Sequence, residues 1–180
     1  MVETSVPDYV DARKIFAQRA HISGTVPLSR FKRFCELLAS PEGELKVSLQ
    51  FGLDERHRRI VEGSIETCVE VVCQRCLEQT NAELKESFKL GIVESEAQIE
   101  RLPDDVDPWL TTEIRLALVD ILEEQLILAM PIVSYHPQGC KSVLVESGEG
   151  TAKGETRIAM QRDDNPFAVL RKLKEPEKFN

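Results

Sequence analysis

Cys73-Gln74-Arg75-Cys76 sets two thiols at CxxC spacing, and His136-Pro137-Gln138-Gly139-Cys140 sets an imidazole and a thiol at HxxxC spacing. A CxxC turn directs two thiolates at one ion, and a histidine and a cysteine from another segment can complete a tetrahedral zinc site. Zinc is therefore the candidate cofactor, with Cys73, Cys76, His136 and Cys140 as donors if the two segments meet. Two other readings use the same residues. A redox dithiol usually opens a helix, whose amides depress the thiol pKa, whereas this CxxC lies between two strand patterns. A tight turn with unligated thiols stays open. The five cysteines form no regular framework, and Met1 to Ala20 holds no continuous apolar stretch of the kind that directs export. The expectation is a cytoplasmic protein with reduced thiols, in which Cys35 and Cys68 are buried packing residues.

Other catalytic patterns are missing from the sequence. It has no GxxxxGK[ST] loop, no GxGxxG, no GxSxG and no HExxH. Its three histidines, His21, His57 and His136, leave carboxylates as the remaining general bases, and no pair of them stands out. The acids between Glu94 and Asp107 read as a solvated run. The reading is of a protein that is not an enzyme and takes no small-molecule substrate.

Charge points instead to macromolecular partners. The formal net charge of -8 over 180 residues is uneven: Met1–Arg33 holds 6 basic and 3 acidic residues, Phe34–Met130 holds 9 and 21, and Pro131–Asn180 holds 8 and 7. The first part carries Arg13, Lys14, Arg30, Lys32 and Arg33, and a second cluster, Arg56, Arg58 and Arg59, surrounds His57. These eight are the candidates for RNA contact, since each neutralised phosphate releases counterions. A solvated face is the alternative for the same residues. The acidic middle suits a basic protein partner, whose encounter its field would speed.

The elements that must position these residues follow from periodicity. Leu28, Phe31, Phe34, Cys35, Leu37 and Leu38 recur at helical spacing and predict a short first helix ending before Pro41. Leu45 to Leu53, Ile60 to Cys73 and Ala82 to Ile92 alternate apolar and polar residues, which predicts three half-buried strands. Short polar turns between them predict an antiparallel meander. Glu94 to Asp107 reads as an exposed connection with Trp109 anchoring its end. Ile114 to Met130 reads as one long apolar helix capped by Thr111 or Thr112 and ended by Pro131, lying across the sheet. Its five polar residues and its length set it short of the roughly 20 mostly apolar residues that span a bilayer. The expected fold class is α+β: an antiparallel meander sheet packed against one long apolar helix and a shorter N-terminal helix, with an extended C-terminal tail. The domain runs over 1–146, a Gly-rich flexible linker over 147–164, and a short helix over 165–174, where Asn165 caps, Pro166 opens the first turn, and Phe167, Val169 and Leu170 could dock on a partner or on the domain itself.

Several of these features occur together, in order, in one known family. VCQRCLE at Val72–Glu78, the acidic connection, EIRLALVDILEEQLILAMPIV at Glu113–Val133, a cysteine soon afterwards and NPFAVLRKLK at Asn165–Lys174 make the chain resemble the bacterial YceD proteins, the large ribosomal RNA subunit accumulation proteins. The resemblance implies a non-enzymatic role in supplying 23S rRNA for large-subunit assembly. Its implied partners are 23S rRNA or its precursor, a basic ribosomal protein, or an assembly factor. Some members carry a second pair of cysteines after the long helix and look like zinc proteins. This chain departs from them with His136 and Cys140, so zinc does not carry over by resemblance alone.

Overall fold

A computed structural model describes residues 6–140 of the chain. The expected linker over 147–164 and the docking segment with Asn165, Pro166, Phe167, Val169 and Leu170 lie outside the described residues.

Alternation of side chains dominates the fold. The strands are β1 (Tyr9–Asp11), β2 (His21–Pro27), β3 (Glu44–Leu53), β4 (Arg59–Val72), β5 (Gln79–Val93), β6 (Asp107–Leu110) and β7 (Arg115–Ala117). The helices are α1 (Ala12–Ala17), α2 (Lys32–Cys35), α3 (Glu96–Ile99) and α4 (Leu118–Ala129). A five-stranded sheet has the order β2-β3-β4-β5-β6, and β1 pairs with β7 in a separate two-stranded ladder. Strands β2 to β5 form the antiparallel meander, whereas β6 adds in parallel to β5. The architecture is α+β with a mostly antiparallel sheet.

Ile65, Thr67, Val69 and Val71 of β4 are buried, while Glu66, Cys68, Glu70 and Val72 face solvent. Leu45, Leu49 and Phe51 of β3 and Leu84 and Leu90 of β5 continue the buried face. That face forms one core with Phe16 of α1, Phe34 of α2, and Leu118, Ile121, Leu122 and Leu126 of α4. Burial of each such side chain stabilises by about 1.5–3 kcal/mol. Phe16 meets Phe51 edge to face with ring centroids 5.5 Å apart. Opposite Phe88 the sheet needs Gly63, because a Cβ there would stand 2.2 Å from the Phe88 ring.

Several expectations are corrected. The first helix is two shorter pieces, a 3-10 turn at Leu28–Arg30 and α2, because Phe31 between them leaves helical geometry at φ -98° and ψ 86°. The long helix begins only at Leu118: Arg115–Ala117 extend to pair with Tyr9–Asp11, and the Leu118 amide donates to the Asp8 carbonyl. No side chain caps it, and Thr111 instead accepts from the Glu113 amide. Two of its polar residues, Glu123 and Gln125, are buried rather than on a solvent-facing stripe. The connection after Glu94 is mostly exposed and Trp109 packs half-buried against the core at its end, as expected, but the stretch also holds α3 and the start of β6. Cys68 is exposed on the wet face of β4, opposite Glu83; Cys35 is half-buried and donates to the Leu28 carbonyl. No helix among the described residues is long and apolar enough to cross a membrane.

Glu123 explains its own burial. Its Oε1 accepts from the Arg33 amide at 2.8 Å and the Phe34 amide at 3.3 Å, so a side chain of α4 caps the start of α2. Beside it Glu124 holds the Arg33 guanidinium at 2.6 Å. Glu123→Ala leaves buried amides without an acceptor and is expected to lower stability by about 1–3 kcal/mol, with Glu123→Gln costing less because its carbonyl still accepts. Urea denaturation of the two variants checks the order.

Candidate metal centre

The CxxC occupies the loop between β4 and β5. Its shape is closed by the Cys73 amide donating to the Glu78 carbonyl at 2.8 Å and the Leu77 amide donating to the Cys73 carbonyl at 2.9 Å. The chain turns back through Leu77, which sits in the left-handed region at φ 62° although its side chain is 77% exposed. The other half follows α4. Pro131 lacks an amide proton and cannot extend the helix, so the chain leaves it and returns along the hairpin loop. There the Ser134 carbonyl accepts from the Gln74 amide at 2.9 Å. A turn then swings Cys140 toward the loop: the Gly139 amide donates to the His136 carbonyl at 3.0 Å, and Gly139 takes φ 82°, where a side chain would be strained.

The two halves meet. Sγ of Cys73 lies 3.6 Å from Sγ of Cys140, and Nδ1 of His136 lies 3.5 Å from Sγ of Cys76 and 3.9 Å from Sγ of Cys140. All four donor atoms fall within 4.8 Å of one another. Tetrahedral donors at Zn–S of about 2.3 Å and Zn–N of about 2.0 Å stand roughly 3.5–3.8 Å apart, so these three separations are close to the edges of such a site. Cys73 is buried and the other three are half-buried.

Neighbours sequence reasoning did not single out orient the donors. His136 Nε2 lies 3.1 Å from the Gln79 carbonyl, and donation there puts the proton on Nε2 and leaves the Nδ1 lone pair aimed at the thiols. Burial alone would push the Cys73 thiol up. Donation from the Cys76, Arg75 and His136 amides and from the Cys140 thiol outweighs it and brings Cys73 down to about 5. Cys140 is pushed up to about 11 by burial, by its bonds to Cys73 and Cys76 and by their charge. The amide donors and the neighbouring thiol thus favour the thiolate form of Cys73, the form that ligates a cation, and binding there releases thiol protons. The geometry disfavours the helix-opening dithiol reading, because the CxxC caps a hairpin and lies against a third cysteine and a histidine.

The family model described as "Large ribosomal RNA subunit accumulation protein YceD" matches residues 61–174, more than half of the chain and inclusive of all four donors. The chain belongs to the YceD family. A relative in Haemophilus influenzae, named "Large ribosomal RNA subunit accumulation protein YceD", is 28% identical over 177 residues, which cover 97% of this chain and 99% of the relative. No solved structure matches the chain.

The basic candidates of this YceD-family chain divide between two places. Arg13 and Lys14 are exposed on α1, whose start is capped by Asp11. Arg30 pairs with Asp8, Arg33 with Glu124, and Lys32 is exposed between them in sequence. Arg56, Arg58 and Arg59 stand apart from these around a cleft at the β3–β4 turn, with Arg58 held by Asp54 and Arg59 3.3 Å from Glu94.

Leu77 offers a test of the loop without loss of packing. Its left-handed backbone costs a non-glycine residue about 1–2 kcal/mol, more when branched at Cβ. Leu77→Gly is therefore expected to match or exceed the parent stability, and Leu77→Val to fall below it by about 1 kcal/mol, as read from urea midpoints.

Proposed function

We propose that this chain is a non-enzymatic factor that supports accumulation of 23S rRNA and hence assembly of the large ribosomal subunit. The family match carries the reading, together with a relative bearing the accumulation name that is aligned along nearly the whole length of both chains. We take Cys73, Cys76, His136 and Cys140 to hold zinc. Four protein donors at tetrahedral spacing make a closed set, the arrangement of structural sites; catalytic zinc keeps one position for water or substrate. Bound zinc would cross-link the β4–β5 loop to the segment after α4, and it would supply stability to that end of the sheet.

A second reading, an acidic adaptor for a basic ribosomal protein or assembly factor, draws on the wet face of the sheet. Glu62, Glu66, Glu70 and Glu83 are exposed there. On that face Glu66 is opposite Lys46 and Lys85, and Glu62 is opposite Lys89, which part-neutralises it.

Metal analysis of purified protein is expected to return one zinc per chain. Cys73→Ser should lose most of it and lower the melting temperature by about 5 °C or more. Because binding expels thiol protons, zinc and the stability it confers should persist above the ordinary thiol range and be lost as pH falls. Protein without stoichiometric zinc, and with Cys73→Ser as stable as the parent, would remove the metal from the account. For the cellular role, deletion of the gene should lower 23S rRNA relative to 16S rRNA, and the intact chain should restore it. An unchanged ratio in the deletion strain would refute the accumulation role.

A further inference from the structure

We infer that the cleft between the β3–β4 turn and the α3 segment is an RNA-backbone site in which Arg56 and Arg101 are the principal phosphate contacts. This inference rests on the reading that the chain acts on 23S rRNA. The stretch Phe34–Met130 holds 21 acidic and only 9 basic residues, six of them arginine. Four of those six, Arg56, Arg58, Arg59 and Arg101, line one cleft of 710 Å³ with His57, although Arg101 is far from the others in sequence. Like charges gathered in one place repel one another where no acid partners them, and Asp54 and Glu94 partner only Arg58 and Arg59. Glu94 and Glu100 are the acids lining the cleft, which leaves it net positive.

The turn that carries three of these arginines is built before any ligand arrives. Asp54 accepts from the Arg56 amide at 2.9 Å, the Arg58 amide at 2.8 Å and Arg58 Nε at 2.5 Å, and the Asp54 amide donates to the Arg58 carbonyl at 3.0 Å. These donors overcome the effect of desolvation and hold the Asp54 carboxyl below its usual range, so it stays ionised. Arg58 in turn donates through Nη1 to the Arg101 carbonyl, which ties the turn to the segment after α3. Arg58 is thus a positioning residue, its charge balanced by Asp54, and Arg59 is engaged with Glu94. Arg56 and Arg101 are exposed and form no ion pair among the described residues. Two free guanidinium groups held on a braced scaffold suit bidentate capture of phosphate oxygens. The chemistry they read is the phosphodiester backbone, the part of a nucleic acid that positions a protein without carrying sequence information.

The test uses the full chain and a transcript of 23S rRNA in filter binding across a range of salt. The parent should bind with an affinity that falls as salt rises. Arg56→Gln with Arg101→Gln should weaken binding at least about tenfold at low salt and reduce the magnitude of the salt slope by one to two, about one for each phosphate left without its guanidinium. Arg13→Gln with Lys14→Gln, on α1, should change it less. Equal urea midpoints for parent and variants establish that folding is intact; if the double variant is destabilised, Arg56→Gln alone carries the comparison. Binding unaffected by the cleft variants, or absent in the parent, overturns the inference. Displacement of the transcript by inorganic phosphate or a mononucleotide at unchanged ionic strength overturns it too, in favour of a small phosphorylated ligand. Complementation separates this from the broader role: cleft variants that restore 23S rRNA as well as the parent sink the cleft alone, whereas a parent chain that restores nothing in a deletion strain with depleted 23S rRNA sinks the accumulation reading.

Discussion

The central constraint is that β3, β4 and β5 have one apolar face. An alternating strand stabilises a fold only when that face is removed from water, and three such strands side by side present more than loops can cover. In this chain α4 and the N-terminal pieces share the core with the sheet, through Leu118, Ile121, Leu122 and Leu126 on one side and Phe16 and Phe34 on the other. The cover has a chemical consequence. Once α4 is committed to the core and Pro131 stops it, the chain emerges beside the β4–β5 loop, where Gln74 and Ser134 bond and His136 and Cys140 reach the CxxC.

Irregular parts of the domain are held by polar side chains placed at the ends of backbone segments. Glu123 serves amides of α2 across the core, Asp54 serves three donors of one turn, and His136 leans on the Gln79 carbonyl. Each satisfies groups that regular ladders leave unpaired, where an unmet buried partner costs more than a met one contributes. The same principle shapes the charges. Asp8, Asp54, Glu94 and Glu124 each hold an arginine, so the basic residues counted along the chain overstate the cations open to a partner.

Three of the meander's four strands, β3, β4 and β5, were legible because period-two alternation has one reading when both flanks turn; β2 (His21–Pro27) was missed. The CxxC and its partners were legible as residue types. What misled was local pattern with a remote partner. Ile114 to Ala117 continues the apolar helical run, yet pairing with Tyr9–Asp11 satisfies its backbone as a strand. Leu28 to Leu38 keeps helical spacing across Phe31, where the backbone breaks. Cys68 was read as packing by residue type, although its phase on β4 places it with Glu66 and Glu70 in water. Arg101 offered no signal, since it stands alone in an acidic stretch and acquires neighbours only when Arg58 reaches its carbonyl.

The sequence by itself determined which residues alternate, where proline and glycine interrupt, which four side chains could ligate a metal, and the family to which their order belongs. Those properties are local, set by side-chain chemistry and the period of the backbone. Tertiary structure alone decided that His136 presents Nδ1 to the thiols, that Cys73 and Cys140 lie side by side, that Glu123 is a cap rather than a solvated charge, and that Arg101 joins the Arg56–Arg59 cluster at one cleft. Each of these depends on atoms brought together from distant segments by burial of the sheet's apolar face. Hydrogen bonds and charge interactions act over a few ångströms of space, whatever the separation along the chain.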